Sequence, residues 1–191
     1  MEYVIWEANP AGGYCTLEYL KNVEDSHELK RGNSRADGFP SDACFKMDSS
    51  HPKEIKLADN VYNLDRMLVV SKKLKDFVES KKPSFTEFLA VAIYNHKGRV
   101  ASKDYFIINP FKIQDCIDKD KSKLMWNKID PDLISGCYKM VINPEKIDKG
   151  LLLFRPKHLP TISLVREDLA EEINKGKFTG IRFKDIDEFE L

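Results

Sequence analysis

The chain of 191 residues carries 31 basic and 31 acidic residues, and 42% of its residues are hydrophobic. This apolar content can fill a core, and no apolar run approaches the ~20 residues needed to cross a bilayer, so we expect a soluble, cytoplasmic protein. The zero net charge excludes a strong overall field that would steer the molecule to nucleic acid or to an acidic membrane.

The charges are nevertheless distributed unevenly along the chain. Residues 161–191 hold eight acids and five bases, whereas residues 61–160 hold twelve acids and nineteen bases. The lysine runs within Lys72–Lys75 and Lys81–Lys82 are more typical of a solvated helix face and its loop than of a nucleic-acid site. The basic middle of the chain leaves a nucleic-acid-binding module open as an alternative function.

The first elements in chain order are a strand and a long polar loop. Tyr3–Trp6 is an apolar run that predicts a strand, and Gly12-Gly13 predicts a turn after it. Lys21–Pro52 consists mostly of charged residues and turn formers, so we expect a long loop with brief extended pieces.

Two segments, at about 66–94 and 160–186, share one layout. In each, an apolar strand leads into a helix with apolar residues on one face, and a second strand follows. Leu68–Leu74 of the first segment aligns with Ser163–Leu169 of the second. The pattern predicts an internal β-α-β half-repeat, with chance similarity as the other interpretation, because helix-then-strand layouts are common.

The second strand of each copy is expected to start at a Phe-Thr pair, Phe85-Thr86 in the first copy and Phe178-Thr179 in the second. In the first copy this strand continues into a predicted β-hairpin. Phe88–Tyr94 and Tyr105–Ile108 are its strands, and Lys97-Gly98 is the centre of its turn. Short apolar runs separated by prolines follow, and they predict strands or short helices.

Together these patterns predict an α+β fold with mixed sheets and a few helices. No low-complexity linker interrupts the chain. We therefore expect residues 1–191 to form a single α+β domain. Its two half-units, at about 1–110 and 111–191, are expected to share a mixed sheet.

Four cysteines and four histidines are present, but their spacing indicates neither a metal site nor a catalytic pair. The cysteines lack a CxxC motif, so we expect reduced, mostly buried thiols, and the histidines, His158 included, fall in predicted loops that are expected to be exposed. Asp115, Asp118 and Asp120 lack the glycine and closing glutamate of a calcium loop, and no glycine-rich phosphate cradle occurs. We expect no catalytic residue, no metal and no cofactor. An enzyme whose site is assembled only in three dimensions remains a second alternative.

A set of short motifs is spaced over most of the chain in a defined order. The motifs are Leu68–Phe77, Tyr105–Asn109, Asp115–Asp118, Lys121-Ser122, Leu153–Arg155 and Phe178–Phe183. In this order they resemble one bacterial family of predicted immunity proteins, which are encoded beside polymorphic toxins. The least generic parts are the aspartate and serine pattern around Asp115 and Ser122, and the Phe154-Arg155 step.

The resemblance implies a stoichiometric inhibitor rather than an enzyme. Such a protein binds a cognate toxin and blocks its active site or its substrate path, and the toxins are often nucleases, whose surfaces are basic because they hold phosphates. The C-terminal acids Asp185, Asp187, Glu188 and Glu190 are then candidates for toxin contact, as mimics of the nucleic-acid backbone. The other interpretation of these acids is a solvated tail. No membrane partner is expected, and the sequence does not determine the oligomeric state.

Overall fold

The computed structural model describes residues 2–191, which form twelve strands, two α-helices and three short 3₁₀ helices. The strands are β1 Tyr3–Ala8, β2 Cys44–Lys46, β3 Asn60–Val61, β4 Leu68–Ser71, β5 Thr86–Tyr94, β6 Val100–Pro110, β7 Ile113–Gln114, β8 Lys123–Trp126, β9 Ile134–Lys139, β10 Leu153–Pro156, β11 Leu164–Arg166 and β12 Ile181–Lys184. The α-helices are α1 Lys72–Ser80 and α2 Glu167–Lys175, and the 3₁₀ helices are Ser26–Arg31, Pro144–Lys146 and Ile186–Glu188. The predicted α+β class is confirmed. Among the described residues, no helix combines the length and apolarity that crossing a bilayer requires.

The strands form two five-stranded mixed sheets and one two-stranded hairpin. The first sheet has the order β12-β1-β11-β10-β7, and the second has the order β2-β5-β6-β4-β3. Each sheet has one parallel pair at an edge, β10 with β7 and β2 with β5, and its other pairs are antiparallel. The expectation of one shared sheet is wrong, because each β-α-β unit hydrogen-bonds to a central antiparallel strand of its own.

Both predicted β-α-β segments are present, which confirms the half-repeat. β4-α1-β5 lies in the second sheet with β6 between its two strands, and β11-α2-β12 lies in the first sheet with β1 between its two strands. Each central strand is antiparallel to both neighbours, so the two strands of a unit are parallel to each other. β6 directly follows its unit in the chain, whereas β1 comes from the opposite end of the chain.

The two copies have helices of equal length, nine residues, followed by loops of equal length. Left-handed backbone occurs at the second and the fifth loop position of each copy. The residues are Lys82 and Phe85 in the first copy, and Lys177 and Gly180 in the second. This matched geometry shows that the copies share a backbone path as well as a sequence pattern.

The predicted alignment of the two Phe-Thr pairs is wrong by two residues. In the first copy β5 begins at Thr86, but in the second copy Phe178 and Thr179 lie in the loop and β12 begins at Ile181. The Phe-Thr pair of the second copy lies earlier in a loop of the same length, where the Phe178 ring packs against Phe77 of α1 with a centroid distance of 5.4 Å.

Both α-helices bury one face in a shared core between the two units. Leu74 and Val78 of α1 meet Leu169 and Ile173 of α2 in this core. Burial of each such side chain stabilises the fold by about 1.5–3 kcal/mol relative to exposure. The Ser71 hydroxyl accepts a hydrogen bond from the backbone N–H of Leu74 and so caps α1.

The two units also meet at a polar contact, which we call the joint and define as Asp59, Asn60, Thr179 and Gly180. The Asn60 N–H donates to the Thr179 carbonyl at 3.0 Å, and the Thr179 N–H donates to the Asp59 carboxylate at 2.9 Å. Gly180 has φ of +72°, and a Cβ there would lie 2.3 Å from the Asn60 carbonyl oxygen. Only glycine therefore fits at this approach.

Asp59 holds the joint through its carboxylate. Its oxygens also accept hydrogen bonds from the Ser71 hydroxyl at 2.8 Å and from the Thr179 hydroxyl at 3.0 Å. Burial alone would raise the pKa of Asp59, but the hydrogen bonds from Thr179 and Ser71, together with the charge of Lys73, outweigh burial and lower it below its ordinary value. The ionised form of Asp59 is thus part of the folded structure.

Candidate functional site

The four C-terminal acids predicted to contact a partner are all exposed, but they do not form one cluster. Asp185 and Asp187 line one groove, whereas Glu190 lines a separate cavity and Glu188 lines neither. The buried Phe189 anchors the segment between them. Within residues 2–191, none of the four acids forms an ion pair.

The groove at Asp185 and Asp187 has an acidic rim and an apolar floor, and we call it the acidic groove. It has a volume of about 320 Å³ and lies beside the start of β1 and the start of α2. Its rim residues are Glu2, Glu167, Asp185 and Asp187, and its apolar lining residues are Val4, Met140, Val141, Ile142, Pro144 and Ile186. Such a groove can receive the aliphatic stem and the charged head of a lysine or arginine side chain.

Glu167 is the groove carboxylate on which neighbouring acids act. Glu2 has the largest effect on Glu167 and raises its pKa, and burial, Glu171 and Asp185 act in the same direction. Arg166 does not neutralise the rim, because its guanidinium is held by Asp168 at 2.7 and 2.8 Å. Glu2 and Glu167 are therefore like-charged neighbours at the surface, and within residues 2–191 neither forms an ion pair.

Two members of the acidic groove could not be found from the sequence. Glu2 lies at the start of the chain and Glu167 at the start of α2, and they meet because Tyr3 pairs with Arg166 in the antiparallel register of β1 and β11. The Glu167 N–H donates to the Glu2 carbonyl at 3.1 Å. No local motif signals a contact between residues so far apart in the chain.

A second exposed surface lies on the hairpin of β8 and β9. Met125, Ile129 and Tyr138 are 48%, 94% and 65% exposed, and we call these three side chains the hairpin patch. The Tyr138 hydroxyl donates to the Met125 sulfur at 3.3 Å, so these two side chains share one face. Apolar side chains exposed together on one element are typical of interaction sites.

The opposite face of the hairpin belongs to the core of the first sheet, where Ile134 and Cys137 are buried. Leu191 lies alongside β9, because its backbone N–H and C=O exchange hydrogen bonds with Cys137 at 2.9 and 3.2 Å. The C-terminal segment and the hairpin are therefore neighbours. Tyr138 and Glu190 adjoin this contact, because they follow Cys137 and precede Leu191 in the chain.

His158 is buried beneath the hairpin, so the expectation of an exposed loop histidine is wrong for this residue. Its Nδ1 lies 2.8 Å from the Asp132 carbonyl oxygen, and its ring packs edge-on against Trp126 with a centroid distance of 5.1 Å. The backbone carbonyl of His158 accepts a hydrogen bond from Ile134, which draws the loop after β10 under β9. The His158 imidazole thus contacts both the Asp132 backbone and the Trp126 ring of the hairpin.

The four cysteines are free and buried, as predicted. Burial raises the pKa of the Cys15 and Cys116 thiols to about 11, and burial also raises the pKa of Cys44 and Cys137. Thiols of this kind are protonated at neutral pH and are poor nucleophiles. In residues 2–191, no group of three or more His, Cys, Asp or Glu side chains is arranged to hold a metal ion.

Residues 16–188, nearly the whole chain, match the model of the Immunity protein family (Imm11). The chain belongs to this family. The match confirms the resemblance inferred from the ordered motifs, and it supports an immunity function with a toxin as binding partner. Immunity protein families are generally non-enzymatic. No curated protein matches the chain.

The least generic motif residues of this immunity protein have structural roles. Arg155 is 3% exposed, and its guanidinium donates to the carbonyls of Pro110 and Pro160 at 3.0 and 2.8 Å. Burial lowers the pKa of Arg155 to about 10. The Ser122 hydroxyl accepts a hydrogen bond from the Val141 N–H at 2.9 Å. Both residues join separate segments of the backbone, so their roles in this chain are structural.

The lysines of α1 are largely engaged within the immunity protein itself. Lys72 pairs with Asp76 at 2.5 Å, and Lys75 pairs with Glu79 at 2.6 Å. Lys73 lies 4.7 Å from the centroid of the Phe178 ring. These contacts reduce the positive field that a nucleic-acid-binding face would need.

Proposed function

We propose that this immunity protein neutralises a nuclease-type toxin in the cytoplasm by binding it one to one. In this proposal the acidic groove, with Glu188 and Glu190, contacts the basic surface with which the toxin holds phosphates. The observation that supports the proposal best is that four exposed carboxylates, Glu2, Glu167, Asp185 and Asp187, line one groove, where Glu2 above all raises the pKa of Glu167. A cationic partner surface would complement these exposed carboxylates.

The proposed mechanism requires affinity rather than turnover. Protection against a lethal enzyme needs a Kd on the order of nanomolar, which is about 12 kcal/mol of binding free energy. An interface of roughly 1,600 Å² reaches this value when a few anchor side chains are fully desolvated. The acids contribute mainly to the rate of association and to specificity, because exposed charges steer the encounter of two proteins.

The first test reverses the charge of the four C-terminal acids that are predicted to contact the toxin. The variant Asp185→Lys, Asp187→Lys, Glu188→Lys, Glu190→Lys is titrated against a catalytically disabled form of the toxin encoded by the neighbouring gene. We expect the association rate to fall about 10-fold or more at low salt, and its salt dependence to become weaker, because the steering charges are lost. Stopped-flow measurements over a range of salt concentrations give both quantities.

A matched pair of double variants separates local charge from net charge. Asp185→Lys with Asp187→Lys alters the rim of the acidic groove, whereas Asp37→Lys with Asp42→Lys makes the same charge change in the long loop, where both residues are exposed. The proposal requires the groove variant to slow association clearly more than the loop variant. Equal association rates for the two variants would show that the acidic groove does not steer the toxin.

The toxin class is tested by titrating the active toxin with wild-type protein while hydrolysis of DNA and RNA is followed. We expect linear loss of hydrolysis up to a one-to-one ratio, which is the pattern of a tight stoichiometric inhibitor. A toxin that binds tightly but cleaves neither nucleic acid would contradict the nuclease class and leave the immunity function in place.

A further inference from the structure

The cavity that Glu190 lines is separate from the acidic groove, and we call it the interunit cavity because both sheets contribute to its walls. The first sheet contributes β1, β12 and the residues before β11, and the second contributes β4 and the turn between β3 and β4. The cavity has a volume of about 380 Å³. Its floor consists of buried, mainly apolar side chains, among them Ile5, Trp6, Met67, Leu68 and Phe189. A largely apolar cavity of this size is typical of a small-molecule site.

One polar side chain of the floor has no partner within the protein. Ser163 is 4% exposed and lines the interunit cavity, and among the described residues its hydroxyl forms no hydrogen bond. The Ser163 carbonyl accepts a hydrogen bond from the Trp6 N–H at 3.0 Å, which holds the residue beside β1. Buried hydroxyls normally have a hydrogen-bond partner. The Ser163 hydroxyl is therefore available to a molecule bound in the cavity.

Arg66 lies at the rim of the interunit cavity, on a turn with a fixed backbone. The Asn63 side chain accepts a hydrogen bond from the Met67 N–H at 3.0 Å and donates one to the Met67 carbonyl at 2.7 Å. The Arg66 N–H donates to the Asn63 carbonyl at 3.0 Å, and Arg66 has a left-handed backbone with φ of +56°. Residues other than glycine rarely adopt this conformation. The hydrogen bonds of Asn63 thus fix the position from which the Arg66 side chain extends.

The charged side chains of the interunit cavity do not balance. Its cations are Arg66, Arg182 and Lys184, and its acids are Glu7 and Glu190. Arg182 pairs with Glu7, and the other three form no ion pair among the described residues. Two cations are therefore opposed by one carboxylate, that of Glu190, and this balance favours an anionic ligand.

A second cavity, of about 490 Å³, meets the interunit cavity at Arg66. It is lined by the cations Lys30 and Arg31 and by the acid Asp65. Lys30 pairs with Asp65 at 3.3 Å, and Arg31 pairs with Glu28 at 3.5 Å. The carboxylate of Asp65 is thus already compensated, so this side of Arg66 adds no unpaired acid that would repel an anion.

We propose that the interunit cavity binds a small organic anion. The charged head of the ligand contacts Arg66 and Lys184, the Ser163 hydroxyl offers it a hydrogen bond, and its apolar body packs against the floor. Carboxylate and phosphate heads share this chemistry. The acidic groove, with four acids at its rim, does not suit the same ligand. This site goes beyond the proposed function and does not depend on the toxin.

The test is a titration of isotope-labelled protein with octanoate, followed by NMR. We expect a Kd on the order of 1 mM or lower, and binding of the uncharged octanamide about 10-fold weaker because the charge contact is lost. The amide shifts should concentrate at the residues that line the interunit cavity. Octyl phosphate is titrated in the same way, and tighter binding than that of octanoate would identify phosphate as the preferred head.

Three single variants test the assigned charges. Arg66→Gln and Lys184→Gln should each weaken octanoate binding about 5-fold or more, because each removes a cation that contacts the head. Glu190→Gln should strengthen binding about 2-fold, because it removes the opposing carboxylate. Lys97→Gln, the same change at an exposed lysine of the β5-β6 turn, is the control and should leave binding unchanged. Thermal unfolding of each variant checks that it is folded.

Three results would overturn the proposed site. Absence of binding by both anions at about 10 mM excludes a site of the expected affinity. Equal affinities for octanoate and octanamide exclude the charge contact, and an affinity that is unchanged in both Arg66→Gln and Lys184→Gln places the anion elsewhere. These measurements use the immunity protein alone, so failure of the site leaves the proposed function in place. Failure of toxin binding likewise leaves the site to be judged by its own titration.

Discussion

The joint between the two β-α-β units and the acidic groove both contain carboxylates, but the carboxylate pKa is shifted in opposite directions at the two places. At the joint, three hydrogen bonds to the Asp59 carboxylate lower its pKa. In the groove, the neighbouring Glu2 raises the pKa of Glu167. A satisfied carboxylate stabilises the fold, whereas an unsatisfied one lowers stability and is available to a partner. Asp59 thus helps to hold the two β-α-β units together, whereas Glu167 lies exposed without an ion pair among the described residues.

The largest expected effect comes from filling the space at the joint. Gly180→Ala places a Cβ against the Asn60 carbonyl oxygen and also disfavours the left-handed backbone, so we expect a loss of about 3 kcal/mol or more in the free energy of unfolding. Gly38→Ala is the control, since Gly38 has the same φ of +72° but no atom within 4 Å of the added Cβ. Urea unfolding of both variants gives the difference.

For Gly38→Ala we expect a loss of only about 1–2 kcal/mol, from the backbone conformation alone. If the two glycine variants lose equal stability, the close approach of the units at the joint does not matter energetically.

A smaller loss is expected when the charge of Asp59 is removed. Asp59→Asn weakens the hydrogen bonds from Ser71 and Thr179, and a loss of about 1–3 kcal/mol at pH 7 is typical of hydrogen bonds to charged groups. Because the folded-state pKa is lowered, the contribution of ionised Asp59 is fully present above its ordinary pKa of 3.8 and is lost as the pH falls below it. Urea unfolding at pH 7 and near pH 3 tests both statements.

The wild type and Asp59→Asn should therefore converge in stability at low pH. Asp37→Asn, which removes the same charge from an exposed loop residue, should differ little from the wild type at either pH. A difference between the wild type and Asp59→Asn that persists unchanged at pH 3 would show that shape, not charge, holds the joint.

The smallest effect on stability has the opposite sign and lies in the acidic groove. Glu167→Gln removes the repulsion from Glu2, so we expect a small increase in Tm at neutral pH together with slower association with the toxin. The folded-state pKa is raised, so ionised Glu167 costs stability as the pH rises above its ordinary value of 4.5 and through the folded value. Calorimetric unfolding at pH 7 and pH 4 should show the increase at pH 7 only.

Glu24→Gln serves as the control for this prediction, because Glu24 is an exposed glutamate outside the acidic groove. It should change neither Tm nor association measurably. A decrease in Tm for Glu167→Gln would mean that Glu167 stabilises the fold, as Asp59 does at the joint, and would contradict the prediction.

Local patterns in the sequence predicted the elements but not their positions. The apolar spacing of Leu74 and Val78 predicted α1, and the Lys97-Gly98 turn predicted the hairpin of β5 and β6, because both depend on contacts between residues close in the chain. The start of β12 was misplaced because a Phe-Thr pair looks like a local strand start, whereas Phe178 lies in the loop and packs against Phe77 of the other unit. The burial of His158 was missed for the same reason, since the hairpin that covers it is a separate element.

The sequence by itself determined the α+β class, the repeated β-α-β layout, the reduced cysteines and, through the order of its motifs, the immunity family. The tertiary structure alone decided that the repeats lie in separate sheets, that Glu2 meets Glu167 and that the hairpin patch is exposed. The physical reason is the range of the interactions. Helix spacing and turns depend on neighbouring residues, whereas sheet partners and surface charge clusters depend on strands, such as β1 and β11, that are distant in the chain.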